Sequence, residues 1–571
     1  MGLFSRKRQV HEIAPDEIFL DSSNLPGHET SQFEGRVVAP LSQRAIIAFG
    51  ILFCLLVAAF GVRAFSLEVR NGDTYAEISR NNTLQRSLLF AERGLILDRE
   101  GYELAWNQAL PEAATSTSPQ DLPQFPLRTY TRLPGLSHVL GYIQYPKSDR
   151  EGNWWREEFI GVSGSELAFD EKLRGENGNR MVETNARGDV ERENIIAPAQ
   201  RGQDLRLTID ADVQSHLYSI LSAHAKSLGY VGGAAAIMDV HTGELLALTS
   251  FPEYDNNAFT EGDSAVVRAA LSNPNTPLLN RAVSGLYTPG SIVKPMFAAA
   301  ALNEGIISPE KKILSKGAIT IPNPYDPSKP SIFRDWTAHG LVDMREAIAV
   351  SSDEYFYTVG GGYGGQQGLG ITKIDAYSKM FGLGSTTGFI FNGEAEGVIP
   401  TPTWKAQVFG PDDPWRIGDT YNTAIGQYGF QMTPLQALRF TAAIANGGTL
   451  MTPRLSTTTP EHKVSVGIPD QYLKVAREGM RLAVTSNRSD STLALFRIAG
   501  IQLAGKTGTA QVGARNQWVN VWSVGFWPYD NPRYAFAVVY ERGPGATPVG
   551  TGHGMKPFFE WLVANHPEYL N

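Results

Sequence analysis

A chain of 571 residues is too long for one ordinary domain, and its 42% hydrophobic and 19% charged residues are those of a folded protein. A formal net charge of -8 and a pI near 5.8 give no support to a nucleic-acid partner, which a basic face would serve. The only cysteine, Cys54, lies in an apolar run, so no intramolecular disulfide can form.

Residues 1–43 are polar, acidic and without periodicity, which predicts a mobile tail. Gly2 is followed by arginine at position six, so the start misses the myristoylation pattern. Residues 45–62 (AIIAFGILFCLLVAAFGV) carry no charge and would span ~27 Å as a helix. The preceding stretch is too long for the n-region of a signal peptide, and a core helix is rarely apolar on every face. A transmembrane helix over 44–66 is predicted. Nearby basic residues do not orient it: Arg36 and Arg44 stand against Arg63, Arg70 and Arg80, and Arg6, Lys7 and Arg8 are distant.

Residues 67–205 mix polar segments with proline-rich connectors such as TSTSPQDLPQFPL (115–127), and read as a non-catalytic ectodomain. From 206 to 571 the pattern tightens. AAAIMDV and ELLALTS, joined by His241-Thr242-Gly243, predict one hairpin; WVNVWSVGFW and YAFAVVYERG, joined by PYDNP, predict another. Helix-like stretches lie between them, among them MFAAAALNEG and TPLQALRFTAAIANGG. Strands from both ends of a segment that encloses helices predict one α/β domain with a helical insertion.

Three motifs in this segment carry chemistry. In Ser291-Ile-Val-Lys294, Thr288-Pro-Gly ends the preceding segment, so Ser291 sits at a helix start with Lys294 one turn on. Serine needs an adjacent base, a desolvated lysine can supply it, and helix N–H groups favour an oxyanion. Alone the motif is weak: Ser308-Pro-Glu-Lys311 has the same spacing and reads as an ordinary helix cap. In Ser351-Ser352-Asp353 the outer residues converge only at a loop or helix start, and a plain cap is the alternative. In Lys506-Thr507-Gly508-Thr509 a strand would turn both threonines to one side and Lys506 to the other, with Gly508 admitting a substrate backbone. Lysine and two hydroxyls could seat a carboxylate.

Residues 500–507 also match the P-loop pattern, but a P-loop opens into a helix, and TGTAQVGARNQW is glycine-broken and strand-like. No nucleotide is therefore expected. The ten histidines form no ligand pair such as H-E-x-x-H, so neither metal nor cofactor is expected.

The ordered set Ser-x-x-Lys, Ser-x-Asp, Lys-Thr-Gly, spaced by 60 and 155 residues, resembles the signature of penicillin-binding proteins and serine β-lactamases. Further segments resemble class B penicillin-binding proteins: RGLILDREG (93–101), HVLGYI (138–143), GVSGSELAFDEKLRG (161–175), LTIDADVQ (207–214), AAIMDVHTGELLALTSFPEYDNN (235–257) and LNRAVSGLYTPGSIVKP (279–295). No segment between the anchor and 205 resembles a glycosyltransferase domain. Asp353 within DWTAHGLVDMREAIAVSSDEYFY, and AIGQYGFQMTPLQ (424–436), are similar to the elongation-specific type, penicillin-binding protein 2. The stretch from Trp106 to Gly135 is short beside that family's head subdomain.

The resemblance implies a serine β-lactamase-like α/β transpeptidase domain with an antiparallel sheet and a helical subdomain. It adds an α+β pedestal of the dimerisation type and one transmembrane helix. It implies Ser291 as nucleophile and Lys294 as its base, with Ser351 relaying a proton to the leaving D-alanine and Asp353 hydrogen-bonding Lys294 or substrate. Lys506, Thr507 and Thr509 would bind the terminal carboxylate, and the N–H groups of Ser291 and Thr509 would form the oxyanion hole. The implied reaction is cross-linking of D-Ala-D-Ala stem peptides, with β-lactams acylating the same serine. The implied topology is a cytoplasmic tail, an inner-membrane anchor and an extracytoplasmic catalytic domain. The implied partners are a SEDS-type glycosyltransferase and other elongation-complex membrane proteins.

A division-specific transpeptidase and a D,D-carboxypeptidase or β-lactamase remain as alternatives, since the motifs do not say whether water or an amine takes the acyl group. A β-lactam sensor or inactive scaffold is disfavoured by intact Ser291, Lys294 and Lys506, and by a tail too short for a signalling module. GGGYGGQQGLG (360–370) reads as a loop ending the helix after Asp353. Trp154 and Trp155 could meet a partner or pack inward.

Overall fold

The computed structural model describes residues 42–73, 84–108, 125–150, 153–184, 190–323, 326–545 and 551–570. The tail up to 41, with Arg6, Lys7 and Arg8, lies outside them, as does nearly all of the 115–127 connector and the middle of the short head stretch. The chain divides into two compact units, one of residues 1–86 with 181–193, the other of 87–180 with 194–571.

In the first unit helix α1 (Gln43–Phe65) starts where Ser42 accepts a hydrogen bond from the Ala45 N–H, satisfying one of the orphan donors of a helix start. It continues as a π-helical turn, Ser66–Arg70. This span is long and apolar enough to cross a membrane, and its most apolar window buries nothing against protein. A helix apolar on every face with no protein core against it matches an apolar solvent.

The second unit begins with β1 (Ile96–Leu97), β2 (Glu103–Gln108), β3 (Leu127–Tyr130) and β4 (Leu205–Arg206), which form a sheet of order β4-β1-β2-β3. Beneath it Glu166, wholly buried, receives Arg93 Nε at 2.5 Å and Arg128 Nε at 2.8 Å, and Arg93 also reaches Asp170 at 2.7 Å. Burial would raise the Glu166 carboxyl, but Arg128 and Arg93 outweigh it and hold it below the usual range. Trp154 packs edge-on against Phe90 and Phe125, while Trp155 is exposed.

Helix α2 (Ala211–Leu228) leads into β5 (Gly232–Asp239) and β6 (Leu245–Phe251). There follow α3 (Lys294–Asn303), α4 (Asp353–Gly361), α5 (Pro434–Ala445) and α6 (Asp470–Thr485), and then β7 (Ala504–Val512), β8 (Trp518–Trp527), β9 (Tyr534–Pro544) and α7 (Thr551–Asn565). The sheet is antiparallel with order β6-β5-β9-β8-β7, so both expected hairpins form and the C-terminal one closes on the N-terminal one. Strand period two divides the core. Ala234, Ala236, Ala535 and Ala537 face one side with α3 and α5; Ala235, Ile237, Phe536 and Val538 face the other with α2 and α7. The alanines let α5, buried throughout, lie close to the sheet, while α3, buried almost throughout, packs chiefly against α6. The same core takes in Ile96, Leu104, Tyr130 and Leu140, so packing runs unbroken across the 205/206 junction. The glycine-rich stretch ends α4 as a loop, with Gly362 at φ 87°.

Candidate active site

Ser291 lies in a 3-10 turn, Gly290–Val293, and α3 begins at Lys294 with Pro295 next, a residue suited to a helix start because it has no N–H to leave unbonded. The turn is clamped on two sides. Gly290 (φ 58°) donates its N–H to Gly426 O at 2.9 Å, and Trp522 Nε1 on β8 donates to Thr288 O at 2.9 Å. A methyl group at Gly290 would come within 2.7 Å of Thr509 O, and one at Gly426 within 2.2 Å of Gly290 O. Glycine at both positions brings the serine turn against β7 and the 426–427 loop.

Gly508 acts differently from the sequence expectation. A Cβ there would lie 2.6 Å from Pro289 O and 2.9 Å from Ile292 Cγ2, so the close approach it permits is to the serine turn. Gly508→Ala is therefore expected to push β7 away from Ser291. It should cost about 1–3 kcal/mol and slow acylation by a β-lactam, checked by a thermal melt and stopped-flow labelling of the same preparation.

Ser351, Lys294, Asp353 and Lys506 converge. Lys294 Nζ donates to Asp353 Oδ1 at 2.6 Å, to Ser351 O at 2.7 Å and to Ser351 Oγ at 3.4 Å. Lys506 Nζ donates to Ser351 Oγ at 2.8 Å and to Thr507 O at 2.8 Å. Ser351 meets both lysines because it stands outside α4 in the left-handed region, φ 61°. A non-glycine residue there costs of order 1 kcal/mol or more and persists only where its surroundings hold it. Ser352, not Ser351, caps α4, accepting from the Tyr355 N–H. The plain-cap alternative thus describes the middle residue and leaves its neighbours free for chemistry.

Both lysines are fully buried. Burial drives the Lys506 ammonium well below the ordinary lysine range, the charge on Lys294 adds to this, and Asp353 opposes it. Burial also raises the Asp353 carboxyl, against the pull of Lys294. Along β7, Lys506 and Gly508 are buried, Thr507 is half-buried and Thr509 is exposed, the expected alternation. Gln427 Nε2 donates to Thr509 O at 3.3 Å, bordering the site opposite Ser351.

Lys506 lies inside a nine-residue strand, which is incompatible with a P-loop. Ser308 is no helix cap either. It sits in an exposed turn, with the Lys311 N–H on Ser308 O and Lys311 Nζ on Gln366, and the strand Ile313–Ser315 begins too soon for a helix to form. Asp335, His339 and Asp490, stacked behind Ser352, were not singled out by sequence; their only local signal is an Asp and a His four residues apart.

Two family models match: the penicillin binding protein transpeptidase domain over residues 233–559, and the penicillin-binding protein dimerisation domain over residues 121–207. A peptidoglycan D,D-transpeptidase MrdA from Haemophilus influenzae is 30% identical, the alignment covering 92% of each chain. Among solved structures, a chain of a peptidoglycan synthase complex that coordinates polymerisation and crosslinking aligns with TM-score 0.69 and 28% identity, covering 91% of this chain and 97% of that one. PBP2 from Helicobacter pylori, solved in complex with MreC, aligns with TM-score 0.67 and 26% identity over 85% of this chain and 99% of its own. On the motif geometry and this end-to-end likeness, the chain belongs to the penicillin-binding protein transpeptidase family, and within it resembles the PBP2 (MrdA) members.

Proposed function

We propose that this chain is a monofunctional peptidoglycan D,D-transpeptidase of the elongation type, acting through a Ser291 acyl-enzyme that β-lactams also form. The observation that carries this reading is one hydroxyl, Ser351 Oγ, 2.8 Å from Lys506 Nζ and 3.4 Å from Lys294 Nζ, beside the turn that bears Ser291.

Lys294, in its neutral form, takes the Ser291 proton as the oxygen attacks the penultimate D-alanine carbonyl. The N–H groups of Ser291 and Thr509 hold the oxyanion. Collapse breaks the amide bond, and Ser351 gives its proton to the departing D-alanine amine, regaining one from the lysines it touches. An amine of a neighbouring stem peptide then attacks the ester and Ser291 recovers its proton. Thr507, Thr509 and Lys506 seat the terminal carboxylate, and Gly508 brings that strand to the serine. A β-lactam follows the same first step, but its opened ring stays attached as the leaving group.

Residues 44–66 serve as a single-pass anchor. The proposed topology has residues 1–43 in the cytoplasm, a pedestal over 67–205 and a transpeptidase domain over 206–571 outside the inner membrane. By analogy with the H. pylori protein solved with MreC, and with the synthase complex, the proposed partners are elongation-complex membrane proteins, a SEDS-type glycosyltransferase among them.

The test is intact-mass detection of a fluorescent penicillin on purified full-length protein. One adduct is expected on wild type and on Ser308→Ala, and none on Ser291→Ala. A long-lived adduct supports a synthase, rapid release supports a hydrolase, and a folded wild type without adduct refutes the acyl-enzyme.

A further inference from the structure

Behind the Ser351 turn runs a line of charges that the proposed chemistry does not use. Asp335, with no exposed side-chain surface, accepts Ser352 Oγ at 2.8 Å and the Glu354 N–H at 2.9 Å through Oδ2. It thereby fastens the residues that flank Asp353. Its Oδ1 takes the Trp336 N–H at 2.8 Å and lies 3.5 Å from His339 Nε2. That imidazole is also fully buried, and its Nδ1 is 2.8 Å from Asp490 Oδ2. Arg488 closes the line, with Nε and Nη2 each 2.8 Å from an Asp490 oxygen and Nη2 on His339 O at 2.9 Å.

From the active site outward the order is Lys294, Asp353, Asp335, His339, Asp490, Arg488. Asp353 and Asp335 are like charges close enough to act on each other. Lys294 and, more weakly, Lys506 draw on Asp353, whereas the positive group that acts most on Asp335 is His339. We propose that His339, held as an imidazolium between Asp335 and Asp490, is a positioning residue for acylation: it keeps Asp335 anionic, and Asp335 holds the Ser351–Asp353 turn where Ser351 reaches both lysines. This rests on the Ser291 acyl-enzyme reading.

Energetics favour the charged state. Burial works against the imidazolium, but Asp335 and then Asp490 outweigh it and raise His339 above its ordinary value. Burial would raise Asp335, but His339 and then Lys294 bring it down to about 2. The other charged groups facing the line do not replace His339. Glu354 is turned to the N–H groups of Lys316 and Gly317, Glu346 acts on Arg488, and the Trp336 ring lies edge-on to the imidazole at 5.0 Å. Loss of the imidazolium proton leaves Asp335 beside a second carboxylate, without the cation that acts on it most. Relief then comes from protonating Asp335 or turning Ser351 away, and a displacement of about 1 Å in such a group can cost ~100-fold in rate.

The test is the second-order rate of acylation of full-length, detergent-solubilised protein by a fluorescent penicillin, from about pH 5 to about pH 9, across the ordinary histidine range. Wild type is expected to lose rate as pH rises through the His339 transition. His339→Gln should acylate roughly 10–100-fold more slowly and lack that limb. Asp490→Asn leaves every Asp335 contact in place but removes one carboxylate from the imidazole, so its limb should move to lower pH. A limb unmoved in Asp490→Asn, or His339→Gln matching wild type at every pH, overturns the proposal. Should His339→Gln fail to fold by near-ultraviolet circular dichroism, the Asp490→Asn limb decides alone. Folded wild type that takes no label overturns the acyl-enzyme reading and this inference with it, whereas labelled wild type with an unmoved limb overturns this inference only.

Discussion

Glu166→Ala is expected to destabilise the protein by about 3–5 kcal/mol, a large share of any domain's stability. The reason is what remains behind. Arg93 and Arg128 are buried, and both point at this one carboxylate; the truncated site would keep two desolvated guanidinium groups with one carboxylate, Asp170, the Asn107 amide oxygen and backbone carbonyls to answer them. Glu166→Gln, which keeps the shape and one acceptor, should recover part of the loss. The pH dependence has a definite sign. Because Glu166 titrates lower in the folded protein than in the unfolded one, its contribution is complete above the ordinary glutamate value and fades as pH falls through the folded one. Urea unfolding of full-length protein in detergent, read by tryptophan fluorescence, should show wild type losing stability on acidification more steeply than Glu166→Gln. A midpoint for Glu166→Ala within experimental error of wild type would refute the account.

Lys506→Met is expected to change activity and stability in opposite directions. Acylation should fall by on the order of 100- to 1000-fold, because Ser351 loses its closest donor and the substrate carboxylate loses a counter-charge. The melting temperature should nevertheless rise. Lys506 is buried with another ammonium near it, and its folded value lies far below that of an unfolded lysine. Such a group favours folding fully only above the unfolded lysine value, and it loses that contribution as pH falls, so near neutrality it is a liability that methionine removes. The gap between the variant and wild type should narrow as pH is raised. Thermal melts at two pH values and a labelling time course on each protein test both halves. A lower melting temperature for the variant would mean that the hydrogen bonds to Ser351 and Thr507 outweigh the cost of burial.

Local pattern made most of the catalytic framework legible. Alternation along β7 separates Lys506 from Thr507 and Thr509, as strand period two requires, and both hairpins declared themselves through alternating apolar residues and turn signals. The apolar run 45–62 needed only its length and lack of charge. The reason for Gly508 was not legible, since its tight neighbour comes from a turn more than two hundred residues away. The Asp490 partner was equally hidden, since it reaches His339 from 151 residues further along the chain, and the Asp335–His339 spacing of four by itself marks no buried pair. Glu166 looked like any acidic residue of a short helix, because nothing local marks a glutamate that two remote arginines will enclose. Pairwise chemistry assembled by tertiary packing leaves no period in the chain.

The pairing of β5 with β9 has a consequence for how the molecule is made. Asp239 pairs with Tyr534, almost 300 residues later, and Gly232 with Glu541. At about 5–20 residues per second, an emerging β5–β6 hairpin waits roughly 15–60 s for its partner. Through that interval its alanine-rich face and the apolar helices meant to cover it have no finished sheet to close against. High contact order of this kind slows folding and leaves unpaired strand edges open to other chains. The Ser291 turn is in the same position, because the strands that clamp it, β7 and β8, are among the last to be synthesised. The acylating centre is thus a late product of folding, absent until the carboxyl-terminal strands arrive.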